Sequence, residues 1–330
     1  MLLPFVFNAE MIDTEHEENA RLEREDILLN LLKFGIPYFQ NDEEMEKFVK
    51  RLKQHMPEVE KKRWIEVLKS LGTYVVGCPS LSPTDLLLKL RKSEPTLVVL
   101  PSKKSSDLMS EFDLQYPRAF APKTKTEYVA ASHISKSTSL VDRSEWADLA
   151  ITPEDNLKKI VDERISPLLK GCRRISIVDR WAFNTFREQN DTSGLFWFLN
   201  QLNSSVETTC KISLFSERPE DFSTTNFDIS IRQIQNQLKK INGEFNIYLS
   251  PDYLYKKKGH DRYLRINDRR LIDIGKGVNA FSRGEIEQRS SFNYSVLKNS
   301  DEIEKYRKFE EDLKRPNYPK PLKITLGEGF

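Results

Sequence analysis

From Pro153 onward, short apolar runs rich in β-branched residues alternate with segments of helical length, and this alternation limits the fold more than any other feature of the chain. Asn156 to Leu169 suits a helix, Arg174 to Asp179 a buried strand, Gly194 to Val206 a helix carrying Leu195, Phe198, Leu199 and Leu202, and Lys211 to Phe215 a second strand. A helical segment around Ile229 to Ile241 and a strand over Phe245 to Leu249 follow. Strands separated in this way are joined by crossovers, which lay helices on the faces of a sheet. The expected class is α/β, with a mixed sheet covered by helices.

The first part of the chain has a different period. Between Met11 and Lys92 apolar residues recur at three- and four-residue steps: Ile27, Leu28, Leu31 and Leu32, then Met45, Phe48, Val49 and Leu52, then Trp64, Ile65 and Leu68, and finally Leu86, Leu87 and Leu90. Asn41 followed by Glu44 predicts a helix cap, and Pro37, Pro57 and Pro79 separate the segments. Residues 1–95 are therefore expected to form a helical module. Thr96 to Leu100 and Glu127 to Ala131 read as strands between loops rich in Lys, Ser, Thr and Pro, so 96–152 is expected to be a linker or an extension of the sheet. The α/β domain is expected over 153–330, with a charged helix from Ser300 to Lys314 that cannot continue into the three prolines between Arg315 and Pro321.

Composition excludes a global electrostatic signal: 52 Lys plus Arg stand against 50 Asp plus Glu, so any polyanion site must be local. Cys78, Cys172 and Cys210 are odd in number and lack a paired spacing. That suits small buried hydrophobes in a reducing compartment better than disulfides or a metal site, and no cofactor is expected. The apolar opening Met1 to Phe7 has no basic leader and soon meets Glu10 and Asp13, unlike a secretory signal. No run of ~18 apolar residues is available to span a bilayer, and a cytoplasmic location is expected.

The local signal lies around Gly259-His260-Asp261-Arg262, followed by the stretch from Gly275 to Asn279. In an extended strand His260 and Arg262 share one side while Asp261 and Tyr263 take the other. From Pro251 to Arg270 there are seven cations, Lys256, Lys257, Lys258, Arg262, Arg265, Arg269 and Arg270, against three Asp, with Tyr253, Tyr255 and Tyr263 interleaved. Cations contact phosphate, and aromatic faces stack on bases or sit at a lipid interface, so the mixture suits a polyanion. The plainer alternative is a solvated loop and an edge strand guarded by lysines.

The spacing resembles the signature of the phospholipase D superfamily: a His, any residue, a Lys, four residues, an Asp, and then a Gly-containing stretch with a Ser and an Asn. Here His260 matches the His, Arg262 replaces the Lys, Asn267 stands in place of the Asp, Gly275 and Asn279 match, and Lys276 occupies the Ser slot. The segment is most similar to a degenerate His-Asp-Arg branch, typified by the phospholipase-D-like C-terminal domain that accompanies microtubule-interacting-and-transport domains. Similar segments occur in bacterial proteins of mobile elements and antiviral defence. The resemblance covers the second half of the chain and implies an α/β sandwich, with the strand ending Ile177-Val178-Asp179 and the following Arg180 and Trp181 leading into the site. It implies phosphate binding by Arg262, Gly275, Lys276, Gly277 and Asn279, with the remaining cations of the patch alongside.

In family members that are enzymes one His attacks phosphorus and a second, from another motif copy, protonates the leaving group. This chain holds one copy. His16 and His55 lie in helical segments, and His133 lacks the one-residue spacing to a base. Arg262 preserves anion binding through its bidentate fork but alters the geometry of a reacting centre, and an amide at Asn267 removes a negative charge. Binding is thus expected to outlast catalysis. The expected function is recognition of a phosphate-bearing ligand, nucleic acid, within a larger assembly such as a bacterial antiviral defence system, with a protein partner or homodimer. The alternatives are a dimeric metal-independent phosphodiesterase (a nuclease) with His260 as nucleophile, and binding of phosphoinositides at a membrane surface.

Overall fold

The computed structural model describes residues 3–7, 18–39, 41–71, 74–75, 96–100, 106, 109–110, 118–120, 126–147, 149–169, 172–206, 209–220, 232, 234, 243–256, 262–286, 288–297, 299–315 and 322–326. The chain divides into two compact units, Leu2–Glu145 and Trp146–Phe330.

The N-terminal unit is α/β rather than a helical module. Strands β1 (Leu3–Phe7), β2 (Gly35–Phe39), β3 (Tyr74–Val75), β4 (Thr96–Leu100), β5 (Arg118–Phe120) and β6 (Thr126–Ala130) form one sheet in the order β3-β2-β1-β4-β6-β5. All its pairings are parallel except that of β5 with β6. The helices read from the sequence are present at Glu18–Phe34, Asp42–His55 and Glu58–Leu71, and Asn41 caps the second through a bond from Glu44 N to Oδ1 at 2.9 Å. What the helical period hid were short strands. Pro37, expected to separate helical segments, lies inside β2, where β3 pairs only with Tyr38 and Phe39, so the missing N–H interrupts no bond to that neighbour. The strands at 96–100 and 126–130 belong to this sheet, and the boundary at 145/146 replaces the one expected at 152/153. Glu127 is fully buried; its carboxylate accepts from Ser137 Oγ at 2.8 Å and from the N–H groups of Thr138 and Ser139 at 2.9 and 2.8 Å, where helix Thr138–Ala147 begins.

The C-terminal unit holds the mixed sheet expected from the alternation. Its strands are β7 (Arg174–Asp179), β8 (Cys210–Glu217), β9 (Gly243–Ser250), β10 (Arg262–Ile266), β11 (Arg270–Ile274), β12 (Phe292–Val296) and β13 (Leu322–Leu326), in the order β12-β11-β10-β7-β8-β9-β13. The three central strands β7, β8 and β9 run parallel, and the remaining pairings are antiparallel. The segment expected as one helix over Asn156 to Leu169 is Leu157–Ile160 and Ser166–Leu169 joined by a π-helical turn, Val161–Ile165. Arg164, in that turn, is buried and donates to the carbonyls of Leu149 and Phe292 at 2.7 and 3.1 Å. Most of the helix expected at 229–241 lies outside the described residues.

Strand alternation divides the sheet into two faces. On one, Val178, Phe215, Tyr263 and Leu271 pack with Ile303, Phe309 and Leu313 of helix Ser300–Lys314. Alternate positions such as Ile177, Leu214 and Leu264 point the other way, where Phe183 N, from helix Ala182–Gln189, donates to Ser216 Oγ at 3.0 Å. Helix Gly194–Ser205 lies so close to the segment Gly277–Gly284 that a Cβ on Gly194 would collide with the Val278 carbonyl, and Phe281 stacks on Phe198 with ring centres 6.3 Å apart. Cys172 and Cys210, far apart in sequence, are both buried with sulfurs 3.7 Å apart. Cys78 lies outside the described residues.

Candidate phosphate-binding site

Because β10 runs antiparallel to β7, its first residue, Arg262, pairs opposite the last residue of β7, Asp179. Strand β11 returns in the direction of β7 and delivers Gly275 to the same end of the sheet. That end also carries Arg180 after β7, Glu217 at the close of β8, and Ser250 and Asp252 at the close of β9. The carboxyl ends of parallel strands are where α/β sheets ordinarily hold ligands.

Asp179 is 1% exposed, and its charge is met by backbone donors: Val278 N reaches Oδ2 at 2.7 Å and Trp181 N reaches Oδ1 at 3.0 Å. Gly277 permits this, since it adopts φ +66° and a Cβ there would collide with the Asp179 carboxylate. Gly275 donates to the Ser291 carbonyl at 3.2 Å, and Lys276 N donates to Ser290 Oγ at 3.1 Å, which leaves the Lys276 side chain exposed. Asn279 Nδ2 donates to Thr185 Oγ1 at 3.0 Å, while its buried Oδ1 has no partner among the described residues. The Gly275–Asn279 turn is thus fastened to β7, to helix Ala182–Gln189 and to the residues before β12. Thr185, Ser290 and Ser291 had no signal in the sequence, because their roles depend on long-range pairing.

Arg262 is partly buried. Its Nη1 donates to the Gly275 carbonyl at 3.0 Å, its Nε is buried without a partner, and among the described residues it makes no ion pair. His260, Asp261, Gly259, Lys257 and Lys258 lie outside the described residues. Lys256 ends the short helix Asp252–Lys256, is exposed, and pairs with Asp252. His133 lies in the N-terminal unit, in the 3-10 helix Ala131–Lys136 after β6.

Two members of the expected cationic patch are corrected. Arg265 shares the Tyr263 face of β10 and is buried, with Nε and Nη2 bonded to Glu310 at 2.8 and 2.5 Å and Nη1 to Asp268 at 3.0 Å. Arg270 is 3% exposed on the opposite face; burial pushes its pKa below the usual arginine value, against the attraction of the hydrogen-bonded Tyr294 hydroxyl. Both sit inside paired strands, where side chains alternate between two covered faces. Arg269, at the hairpin turn, reaches the Leu297 carbonyl at 3.5 Å. Asn267 is a turn residue: at φ 51° its Oδ1 accepts from the backbone N–H groups of Arg173 and Arg174 at 2.9 and 3.3 Å.

No protein-family model matches the chain, and no curated protein matches it. Six chains among solved structures do. One is phosphatidylserine synthase of Haemophilus influenzae Rd KW20, similar at 10% identity with a TM-score of 0.27, over 67% of this chain and 53% of that one. The chain thus spans about half the length of that protein. Among the described residues no helix is long and apolar enough to cross a membrane, and no group of three or more His, Cys, Asp or Glu is placed to hold a metal ion.

Proposed function

We propose that the C-terminal unit recognises a phosphate-bearing ligand, nucleic acid, through Arg262 and the Gly275–Asn279 turn. The observation that carries this reading is the state of Arg262. Other arginines of the unit are committed: Arg174 to Asp268, Arg180 to Glu217 and Asp252, Arg265 to Glu310, and Arg164 to two carbonyls. Arg262 combines a position at the carboxyl end of the parallel strands with a single hydrogen bond to a carbonyl and, among the described residues, no ion pair to a carboxylate. A guanidinium carries five N–H donors, so several remain for the oxygens of a phosphate, which a planar fork meets bidentately. Lys276 adds an exposed cation, and the Asp179 carboxylate already accepts from two backbone N–H groups.

The likeness of His260-Asp261-Arg262 to the phospholipase D signature supports the same ligand chemistry. From it we also take the setting, a larger assembly such as a bacterial antiviral defence system. The direct test is fluorescence anisotropy of a labelled oligonucleotide on the full chain, with inorganic phosphate as competitor. Arg262→Ala should weaken binding by about 10- to 150-fold, the worth of a hydrogen bond to a charged group. Equal binding by the variant and the parent would end this reading.

A further inference from the structure

Among the described residues of the C-terminal unit three large apolar or aromatic residues are exposed: Leu149 at 53%, Trp181 at 37% and Tyr253 at 56%. Two of the three stand at the Arg262 end of the sheet. Trp181 lies two residues beyond β7, and its backbone N–H is held by the carboxylate of Asp179, the residue paired with Arg262. Tyr253 lies just beyond β9, on the short helix Asp252–Lys256.

One side chain ties the two together. Arg180 lays its guanidinium over the Trp181 ring, with Cζ 4.3 Å from the centroid. The same guanidinium bonds Glu217 through Nε at 3.0 Å and pairs through Nη2 with Asp252, the neighbour of Tyr253. Lys256 pairs with Asp252 as well. Trp181, after β7, and Tyr253, on the short helix after β9, are therefore linked through a common ion-pair network at the end of the sheet that also carries Arg262. Stacking on an indole is strongest when the ring is already fixed, because little rotamer freedom is then lost.

We infer that this edge is a stacking platform, and that the phosphate-bearing ligand is a single-stranded nucleic acid whose bases lie on Trp181 and Tyr253 while its backbone meets Arg262. The inference rests on the reading of Arg262 given above. A duplex offers its base faces only at its ends, so it engages such a platform poorly. A lipid headgroup has no aromatic face to stack, and rings bracketed by Arg180, Glu217, Asp252 and Lys256 do not form an apolar surface for insertion.

The test compares three probes on the full chain at one salt concentration: oligothymidylate, an abasic oligonucleotide of equal length, and the oligothymidylate hybridised to its complement. The single strand should bind tightest, and the abasic strand should be clearly weaker. Trp181→Ala should lose roughly 5- to 150-fold for oligothymidylate, the range set by one base stacked on an aromatic ring. It should bind the abasic strand as the parent does. Trp181→Phe, which keeps a ring, should recover most of the loss, and matching circular dichroism would show that neither variant disturbs the fold. The inference is overturned if the abasic strand or the duplex binds as well as the single strand, or if Trp181→Ala leaves oligothymidylate binding unchanged. If Arg262→Ala still weakens every probe in that event, the phosphate site stands without the platform; if no probe binds the parent, the phosphate reading itself has failed.

Discussion

The guanidinium of Arg265 and the carboxylate of Glu310 face one another across the sheet and helix Ser300–Lys314, with Nε to Oε1 at 2.8 Å and Nη2 to Oε2 at 2.5 Å. Glu310 also accepts from Ser176 Oγ at 2.9 Å, so the buried carboxylate is well supplied with donors. Removing Glu310 leaves the buried Arg265 guanidinium with Asp268 as its remaining carboxylate and two of its donors unmet. Glu310→Ala should cost about 3–5 kcal/mol of stability, measured by denaturant unfolding, whereas the double change Arg265→Met with Glu310→Leu should recover most of it. If the single change costs no more than the double, the pair holds nothing in place.

Gly277→Ala is expected to damage stability and binding together. It forces a Cβ into the left-handed region and against the buried Asp179 carboxylate. Strain of that kind is worth about 1–3 kcal/mol, and it falls on the turn that presents Lys276. Thermal unfolding and phosphate competition should shift in parallel. Gly275→Ala meets only the Ser291 hydroxyl, a movable group, and should be milder.

Alkaline pH should weaken the C-terminal unit. Burial pushes the Tyr294 hydroxyl up to about 12 from an ordinary value of 10.0, against the favourable Arg270. A group whose folded pKa lies above its unfolded one stabilises the fold at pH below the unfolded value, and that contribution is lost as pH rises from about 10 to about 12. The loss approaches roughly 3 kcal/mol for two pK units. Tyr294→Phe should flatten the decline in that window. Burial raises Tyr263 too, so some decline should persist.

Salt dependence should separate the cations into two groups. Neutralising Lys256, Lys257 and Lys258 together should lower affinity and flatten the logarithmic salt slope by up to about 0.7 for each lost contact to a single strand. Arg265→Met combined with Glu310→Leu should leave the slope unchanged, since those charges face the interior. An unchanged slope in the triple lysine variant would assign those lysines to solvent.

Little or no phosphodiester cleavage is expected from the monomer, because one imidazole cannot be both nucleophile and leaving-group acid. A missing acid typically costs about 10²- to 10⁴-fold. Cleavage in excess chelator that His260→Ala abolishes, with binding intact, would convert the binding reading into the dimeric enzyme.

The second half of the chain was legible because its periods are long and consistent: the runs at 174–179, 211–215 and 245–249 all lie within β7, β8 and β9. Strand β12 could have been read from its alternation, with Phe292 and Tyr294 buried and Asn293 and Ser295 exposed, but five residues after a 3-10 segment make a faint signal. In the N-terminal sheet β4 and β6 were legible as apolar runs, whereas the others were obscured by strong neighbouring helices and by their length of two to five residues. In the site, residue types pointed to anion chemistry but could not show which cations look outward. Alternation puts Arg262 and Arg265 on opposite faces of β10, but which face is sealed follows from distant partners: Asp179, opposite Arg262 and taken up by backbone donors, and Glu310 of helix Ser300–Lys314, bonded to Arg265. Those partners lie 83 and 45 residues away, beyond any local pattern.

Arg262 and Arg265 also occupy opposite faces of β10, one open at the sheet end and one sealed beneath helix Ser300–Lys314. A one-residue insertion or deletion within this strand would turn the inner arginine outward and push its neighbour into the apolar layer, unless a bulge absorbed it. Length variation among descendants of this sequence should therefore accumulate outside Arg262–Ile266, while the hairpin stays fixed in length even where ligand preference drifts.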